Sequence, residues 1–161
     1  MTELTERIRR EWQSFAQTKV YAFRGISPAA YELWAPDYFR AILDRSQIHT
    51  TEDKGELIAC LVTERIAGTE STIVHWAWTA RAHRNTAVQH LLWMHSGLDP
   101  YKSKIFISHL TVLVEELITD KPGKPAKYGW LFSPFSLYKG YKDEIRKVEA
   151  EAGDGHAGEH R

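Results

Sequence analysis

The chain lacks several features that would at once restrict its function. It has one cysteine in 161 residues, Cys60, so no disulfide can form within the chain. None of its apolar runs approaches the ~20 residues of a membrane-spanning helix, and its charged N-terminus has no signal-peptide core. The 21 basic and 21 acidic side chains cancel, so the overall charge predicts no polyanionic partner. We therefore expect a cytoplasmic protein without membrane contact, and a buried Cys60 inside the apolar run 57–62.

Common catalytic and metal-binding motifs are missing as well. The sequence has no G-x-S-x-G, no P-loop lysine motif, no H-E-x-x-H and no paired cysteines. His83, His90 and His95 do not share one face of a helix, so we expect no metal site.

Apolar periodicity predicts one domain of the α/β class with a mixed sheet. Helices are expected over residues 2–17, 29–44 (split by Pro36), 86–95 and 141–150, and strands over 19–24, 46–53, 56–64, 72–79, 104–109 and 128–132. Residues 110–118 fit either type. Hairpins come first and a strand–helix–strand unit follows, which is typical of a single mixed sheet. We expect the domain to cover residues 1–150, and the tail 151–161, which has no large apolar side chain, to be disordered.

The segment 72–95 combines a strand, a basic turn and a helix N-terminus. Arg81 and Arg84 lie between the apolar strand and the helical pattern. The first amides of a helix lack partners within the helix, and its dipole favours an anion there. The two arginines would add full positive charges, so the segment predicts a phosphate-binding turn. Solvated arginines at the end of a strand are the simpler alternative.

The order of elements and the turn at Arg84 resemble the GNAT superfamily of N-acyltransferases. That family has Arg/Gln-x-x-Gly-x-Gly/Ala after its fourth strand, and residues 84–89 (RNTAVQ) stand at this place. The resemblance implies a GNAT-like fold, an acyl-CoA (acetyl-CoA) co-substrate and an amine acceptor. Residues 104–109 would be the fifth strand, splayed from the fourth to admit the pantetheine arm. The implied cofactor-binding residues are Arg81, Arg84, Asn85, Thr86, Ala87 and Val88.

The chain departs from that pattern at three places. Asn85 and Ala87 replace glycines, and Gln89 is bulky enough to obstruct a phosphate. The family's tyrosine general acid has no counterpart in residues 109–118. These departures favour an alternative function, a catalytically inactive GNAT-fold module for binding or for association with a virion.

His75, His109 and Tyr138 are the candidate catalytic residues. His75 lies in the expected fourth strand and His109 ends the expected fifth, where the family's acyl group would bind. Tyr138 is a tyrosine farther along the chain that could serve as the general acid. A histidine satisfied within the core is the simpler interpretation of His75. Glu64 could accept a proton through water, although we expect it at the surface.

The C-terminal part of the sequence suggests a narrower origin and a second partner. Residues 133–138 (SPFSLY) resemble the ending of GNAT-like proteins encoded by tailed bacteriophages, which would place the protein in the host cytoplasm. The segment Lys121–Lys142 has five lysines, no acidic residue and six aromatic residues. Basic and aromatic side chains in alternation suit unpaired nucleic acid; an edge strand with solvated lysines is the simpler alternative.

Overall fold

A computed structural model describes residues 2–84 and 86–133. Its elements are α1 (Glu3–Lys19), α2 (Pro28–Leu43), β1 (Gln47–Asp53), β2 (Glu56–Arg65), β3 (Thr72–Thr79), α3 (Val88–His95), β4 (Ile105–Ile107), α4 (Val112–Ile118) and β5 (Leu131–Phe132). Short 3₁₀ helices cover Tyr21–Phe23 and Arg81–His83. Asn85, Tyr138, the expected helix 141–150 and the expected disordered tail 151–161 lie outside the described residues.

The described strands form one mixed sheet in the order β1-β2-β3-β4-β5. The β1–β2 and β2–β3 pairs are antiparallel, whereas β3–β4 and β4–β5 are parallel. Helix α3 lies between β3 and β4 along the chain, because parallel neighbours need a crossover connection. The expected α/β fold with a single mixed sheet is confirmed.

Helices cover both faces of the internal strand β2, whose residues are buried from Leu57 to Glu64. Cys60 and Val62 face α1 and α2, while Ala59 and Leu61 face α3. A strand buried on both sides shows a continuous apolar run rather than an alternation. The expectation of a buried Cys60 thiol is confirmed.

Two expected elements in the first part of the chain were wrong in type or extent. Residues 19–24 do not form a strand: α1 extends to Lys19, Val20 makes one bridge to Thr111, and Phe23 packs among aromatic rings. The aromatic and β-branched residues of this segment therefore reflect burial rather than strand pairing. Pro36 lies inside an unbroken α2. The buried face of α2 outweighs the ~3 kcal/mol that an internal proline costs.

Helix α3 begins two residues later than expected, after the 3₁₀ helix Arg81–His83. The Thr86 hydroxyl donates to the His83 carbonyl oxygen and accepts from the Val88 amide, which delays the first helical turn. Residues 110–118 mostly form a helix, α4, whose N-cap Thr111 accepts from the Val114 amide at 3.2 Å. The expected strands 104–109 and 128–132 are reduced to β4 and β5, so that His109 lies two residues beyond the end of β4.

Trp12 is the centre of the core between the helices and the sheet. Its ring is fully buried and lies 4.8 Å from the Phe39 ring and 5.8 Å from the Trp76 ring, with which it stacks. We expect Trp12→Ala to lower the free energy of unfolding by about 3–5 kcal/mol, because it leaves a large cavity. Urea denaturation measures the change. The control Leu33→Ala, on the exposed side of α2, should stay within about 0.5 kcal/mol; equal effects of the two variants would contradict this view of the core.

Candidate functional site

The parallel strands β3 and β4 part halfway along β3. Their last register pair is Val74 with Ile107, and the Ser108 amide donates to the Val74 carbonyl at 3.3 Å. The chain after β4 then turns toward the end of α1, where the Tyr21 amide donates to the Leu110 carbonyl at 3.0 Å. Among the described strands, residues 76–79 of β3 pair only with β2, and His75 has no register partner in either neighbouring strand. The structure therefore has a divergence of β3 and β4, the two strands between which the family resemblance implies a splay.

A β-bulge lies at the same point of β3. Val62 pairs with Trp76 and Thr63 pairs with Val74, so His75 is the extra residue. Val74 consequently packs on the α3 side of the sheet, whereas Trp76 packs on the α1 side. Bulges commonly re-aim a side chain where strand pairing ends. This bulge brings His75 beside the divergence, with its ring 6.4 Å from the Trp12 ring.

Six side chains form a continuous hydrogen-bonded series through this region, which we call the polar chain. Its members, in order of contact, are Arg45, Glu64, His75, Ser108, His109 and Tyr38. Arg45 Nε lies 2.8 Å from Glu64 Oε2, which lies 3.2 Å from His75 Nε2. The inner four members are buried, whereas Arg45 and Tyr38 reach partly exposed positions at its ends.

Ser108 joins the two candidate histidines. Its Oγ lies 2.9 Å from His75 Nδ1 and 2.6 Å from His109 Nδ1. His109 Nε2 in turn lies 3.0 Å from the Tyr38 hydroxyl. Both nitrogens of each histidine are therefore hydrogen-bonded, as expected for polar groups within a core.

Burial determines the protonation of both histidines. It lowers the pKa of His75, against the opposing effect of the Glu64 carboxylate. Burial, together with the nearby His75, lowers the pKa of His109 to about 3. Both rings are therefore neutral at pH 7, and each presents one N–H donor and one acceptor nitrogen.

Sequence reasoning placed Glu64 wrongly and did not identify two partners of the histidines. Glu64 was expected at the surface, but it is buried beside His75 because its strand is covered on both faces. Ser108 follows a buried three-residue strand, and polar residues at the ends of adjacent parallel strands are a usable signal. No pattern in the sequence connects Tyr38 with His109, since 71 residues separate them.

The predicted phosphate turn lies at the far end of β3. Arg81, Arg84, Thr86 and Ala87 are exposed, and Val88 is half-buried. The Arg84 Nε group donates to the Thr79 carbonyl at 3.3 Å, which holds the guanidinium near the end of the strand.

Gln89 does not extend freely toward the expected phosphate position. Its Oε1 accepts a 2.7 Å hydrogen bond from the Thr79 hydroxyl, so the side chain ties α3 back to β3. This contact reduces the obstruction of a bound phosphate that the size of Gln89 predicts.

Two surface cavities of about 330 Å³ lie away from these groups. Arg65, Lys102 and Lys104 contribute to the first, and Arg9 and Glu32 to the second. Neither cavity is lined by His75, His109 or an arginine of the basic turn, so neither of them opens at the divergence of β3 and β4.

No group of three or more histidine, cysteine or acidic side chains suited to a metal occurs in residues 2–84 and 86–133. Within the same ranges, no helix is long and apolar enough to cross a membrane.

The described part of the basic–aromatic segment is engaged with the protein's own rings. Tyr128 stacks on Trp130 at 4.2 Å, and Trp130 stacks on Trp93 at 5.4 Å. Lys127 lies 5.1 Å from the centre of the Tyr128 ring. Nucleic-acid bases would have to displace some of these contacts in order to stack there.

Comparisons with known proteins give little beyond the geometry. No family model matches the chain, and no curated protein matches it. A solved structure from Desulfovibrio desulfuricans that is assigned to the GNAT family of acetyltransferases shares 11% identity, with a TM-score of 0.36. The match covers 58% of this chain and 55% of that one, so the chain spans little more than half of its length. At this level the likeness cannot support an assignment, and the interpretation of the site rests on its own geometry.

The buried neutral histidines predict an acid-sensitive fold. The unfolded chain binds protons on both rings as the pH falls below about 6.5, whereas the folded chain keeps His109 neutral and binds a proton at His75 only at lower pH, so acid favours unfolding. The free energy of unfolding should fall toward pH 5 with a slope approaching about 1.4 kcal/mol per pH unit from His109, and His75 should add to it in the same direction. Urea denaturation between pH 7.5 and 5 measures the slope. His109→Asn should flatten it, and the exposed His90→Asn should not; equal slopes in both variants would contradict the assignment.

Proposed function

We propose that the protein is a GNAT-type acyltransferase that moves an acyl group from acyl-CoA, with acetyl-CoA as the simplest donor, to an amine. The observation that supports this most directly is the divergence of β3 from β4 beside two buried histidines. Residues 75–79, which have no register partner in β4, lead from the histidines to the basic turn. At ~3.3 Å per residue this half of β3 is roughly 16 Å long. An extended pantetheine arm would fit such a path, with the pyrophosphate at the turn and the thioester at the divergence.

The basic turn would bind the pyrophosphate. Arg81 and Arg84 supply charge, and amides of residues 85–88 would supply hydrogen-bond donors at the start of α3. Ala87 at the N-cap position makes no side-chain cap. The Val88 amide has only the long 3.4 Å contact with the Thr86 hydroxyl, which a bound anion would replace.

Acyl transfer by this site would need little covalent chemistry. The amine nitrogen attacks the thioester carbonyl, whose developing negative charge would be stabilised by backbone amides of β3 beside the divergence. The amine must also lose a proton, and His75 and His109 are the ionisable groups that we propose for this step. Tyr138 remains a proposed general acid outside the described residues.

A second candidate, an inactive module for binding or virion association, is favoured by a specific observation. His109 is buried against Phe23, Tyr38 and Phe39, whose rings lie within 5.8–6.3 Å of its own ring. A site filled by its own side chains would not admit substrate without movement. Release of free thiol from acetyl-CoA in the presence of amines distinguishes the two functions.

The finer parts of the proposal concern origin and acceptor. We propose that the protein is phage-encoded and acts in the host cytoplasm on nucleic acid or protein. The resemblance of residues 133–138 to phage proteins and the basic–aromatic segment Lys121–Lys142 support this.

The proposed CoA site predicts a specific effect of Arg84→Ala. The variant should weaken acetyl-CoA binding about 10- to 100-fold, because a hydrogen bond to a charged phosphate is worth about 1.5–3 kcal/mol. Isothermal titration calorimetry measures the affinity. Arg10→Ala is the control, since this exposed arginine lies on α1, which packs on the opposite face of the sheet from α3. Absence of acetyl-CoA binding at millimolar concentration in the unmodified protein would refute the proposed function.

A nucleic-acid acceptor predicts strong salt dependence. If Lys121, Lys124 and Lys127 contact phosphates of a single strand, the logarithm of the association constant should fall linearly with the logarithm of salt concentration. Replacing all three by alanine should lower the magnitude of this slope by about 2, at roughly 0.7 per phosphate contact. Fluorescence anisotropy with a labelled oligonucleotide measures it. A flat salt profile, or an unchanged slope in the triple variant, would exclude this partner.

A further inference from the structure

The polar chain contains an anchor that determines its hydrogen-bond direction. Arg45 Nε and His75 Nε2 both contact Glu64 Oε2, at 2.8 and 3.2 Å. An arginine is always charged in proteins, and its contact with a buried carboxyl favours the ionised form. Glu64 is therefore a carboxylate, which can only accept hydrogen bonds.

From this anchor, the position of each proton follows in turn. His75 must donate from Nε2 to Glu64, and a neutral ring then has an acceptor at Nδ1. The single hydroxyl proton of Ser108 must point to that acceptor, so Ser108 Oγ accepts from the Nδ1–H group of His109. His109 Nε2 is then an acceptor, and the Tyr38 hydroxyl donates to it. Every contact has one donor and one acceptor, in a single direction from Tyr38 to Glu64.

We propose that Tyr38, His109, Ser108, His75 and Glu64 form a proton relay of this fixed direction, and that Tyr38 is its substrate-facing catalytic end. Three of its four internal contacts are 3.0 Å or shorter, which is suitable for proton transfer between neighbours. Tyr38 is half-buried at one end of the polar chain, whereas the other four members are buried. The role of Tyr38 in catalysis rests on the proposed acyl transfer; the direction of the relay does not.

The relay would remove one proton from the attacking amine. As the nitrogen–carbon bond forms, the amine proton passes to the Tyr38 oxygen and the Tyr38 proton passes to His109 Nε2. The Nδ1 proton of His109 moves to Ser108, the Ser108 proton moves to His75 Nδ1, and the Nε2 proton of His75 moves to Glu64.

After these transfers, the rings of His75 and His109 are each in the other neutral tautomer, and Glu64 is a neutral acid. When the carbon–sulfur bond breaks, the reverse sequence returns one proton through Tyr38 to the thiolate, so that in the relay Tyr38 acts as the general acid in place of Tyr138. Glu64 is ionised again, and the net change is transfer of one proton from nitrogen to sulfur.

The direction of the relay can be tested without any substrate. In protein labelled with ¹⁵N-histidine, long-range ¹H–¹⁵N spectra at pH 7.5 identify the tautomer of each ring. We expect His75 as the Nε2–H tautomer and His109 as the Nδ1–H tautomer. Ser108→Thr, which keeps the hydroxyl, should leave both tautomers unchanged. Identical tautomers in the two rings, or an Nδ1–H tautomer at His75, would overturn the relay.

The catalytic end is tested with acetyl-CoA and poly-L-lysine as a general amine, by measuring released thiol. Tyr38→Phe should lower kcat about 100-fold, within the usual range for a proton-transfer group, and should leave the KM for acetyl-CoA within about twofold. Ser108→Ala should lower kcat in the same way, and Ser108→Thr should restore most of it. Circular dichroism and thermal denaturation verify that each variant is folded.

The results separate the two proposals. The expected tautomers without thiol release from wild-type protein would support the relay and count against acyl transfer to this class of amine. Thiol release with an unchanged kcat in Tyr38→Phe would overturn the catalytic role of Tyr38.

Discussion

The ionised carboxylate of Glu64, held within a strand that is covered on both faces, constrains much of the described site. An isolated buried charge is costly, so it requires a positive partner and hydrogen-bond donors. Arg45 supplies the charge and His75 supplies a donor. Each following member of the polar chain has only one proton to donate within the chain. The carboxylate of Glu64 therefore also determines the hydrogen-bond direction of side chains that it does not contact.

The aromatic layer and the polar chain depend on each other. Trp12 contacts the rings of His75, Trp76 and His109, at 6.4, 5.8 and 5.4 Å between centroids. This packing excludes water from both histidines, which lowers their pKa and keeps the rings neutral. A neutral ring can accept at one nitrogen while it donates at the other, so the apolar core is what permits a directional polar chain.

The β-bulge at His75 connects the fold with the proposed chemistry. Without the extra residue, Val74 and Trp76 would point to the same face of the sheet, as residues two apart in a regular strand do. With it, His75 lies where the pairing of β3 with β4 ends. The β-bulge therefore positions the buried His75 at the point where the parallel pairing of β3 with β4 ends. From this point the second half of β3 leads to Arg84.

The sequence by itself determined the elements whose signals are local. The hairpin formed by the strands 46–53 and 56–64, the strand 72–79 and the basic turn at Arg84 follow from turn chemistry, alternation and composition within a few residues. Only the tertiary structure decided that residues 19–24 leave the sheet, that Pro36 stays within a helix, and that Tyr38 contacts His109. These outcomes depend on burial against residues distant in the chain, which no local periodicity records. The candidates His75 and His109 could be selected as residue types at strand positions, but their joining through Ser108 required a β-bulge and the close approach of two parallel strands.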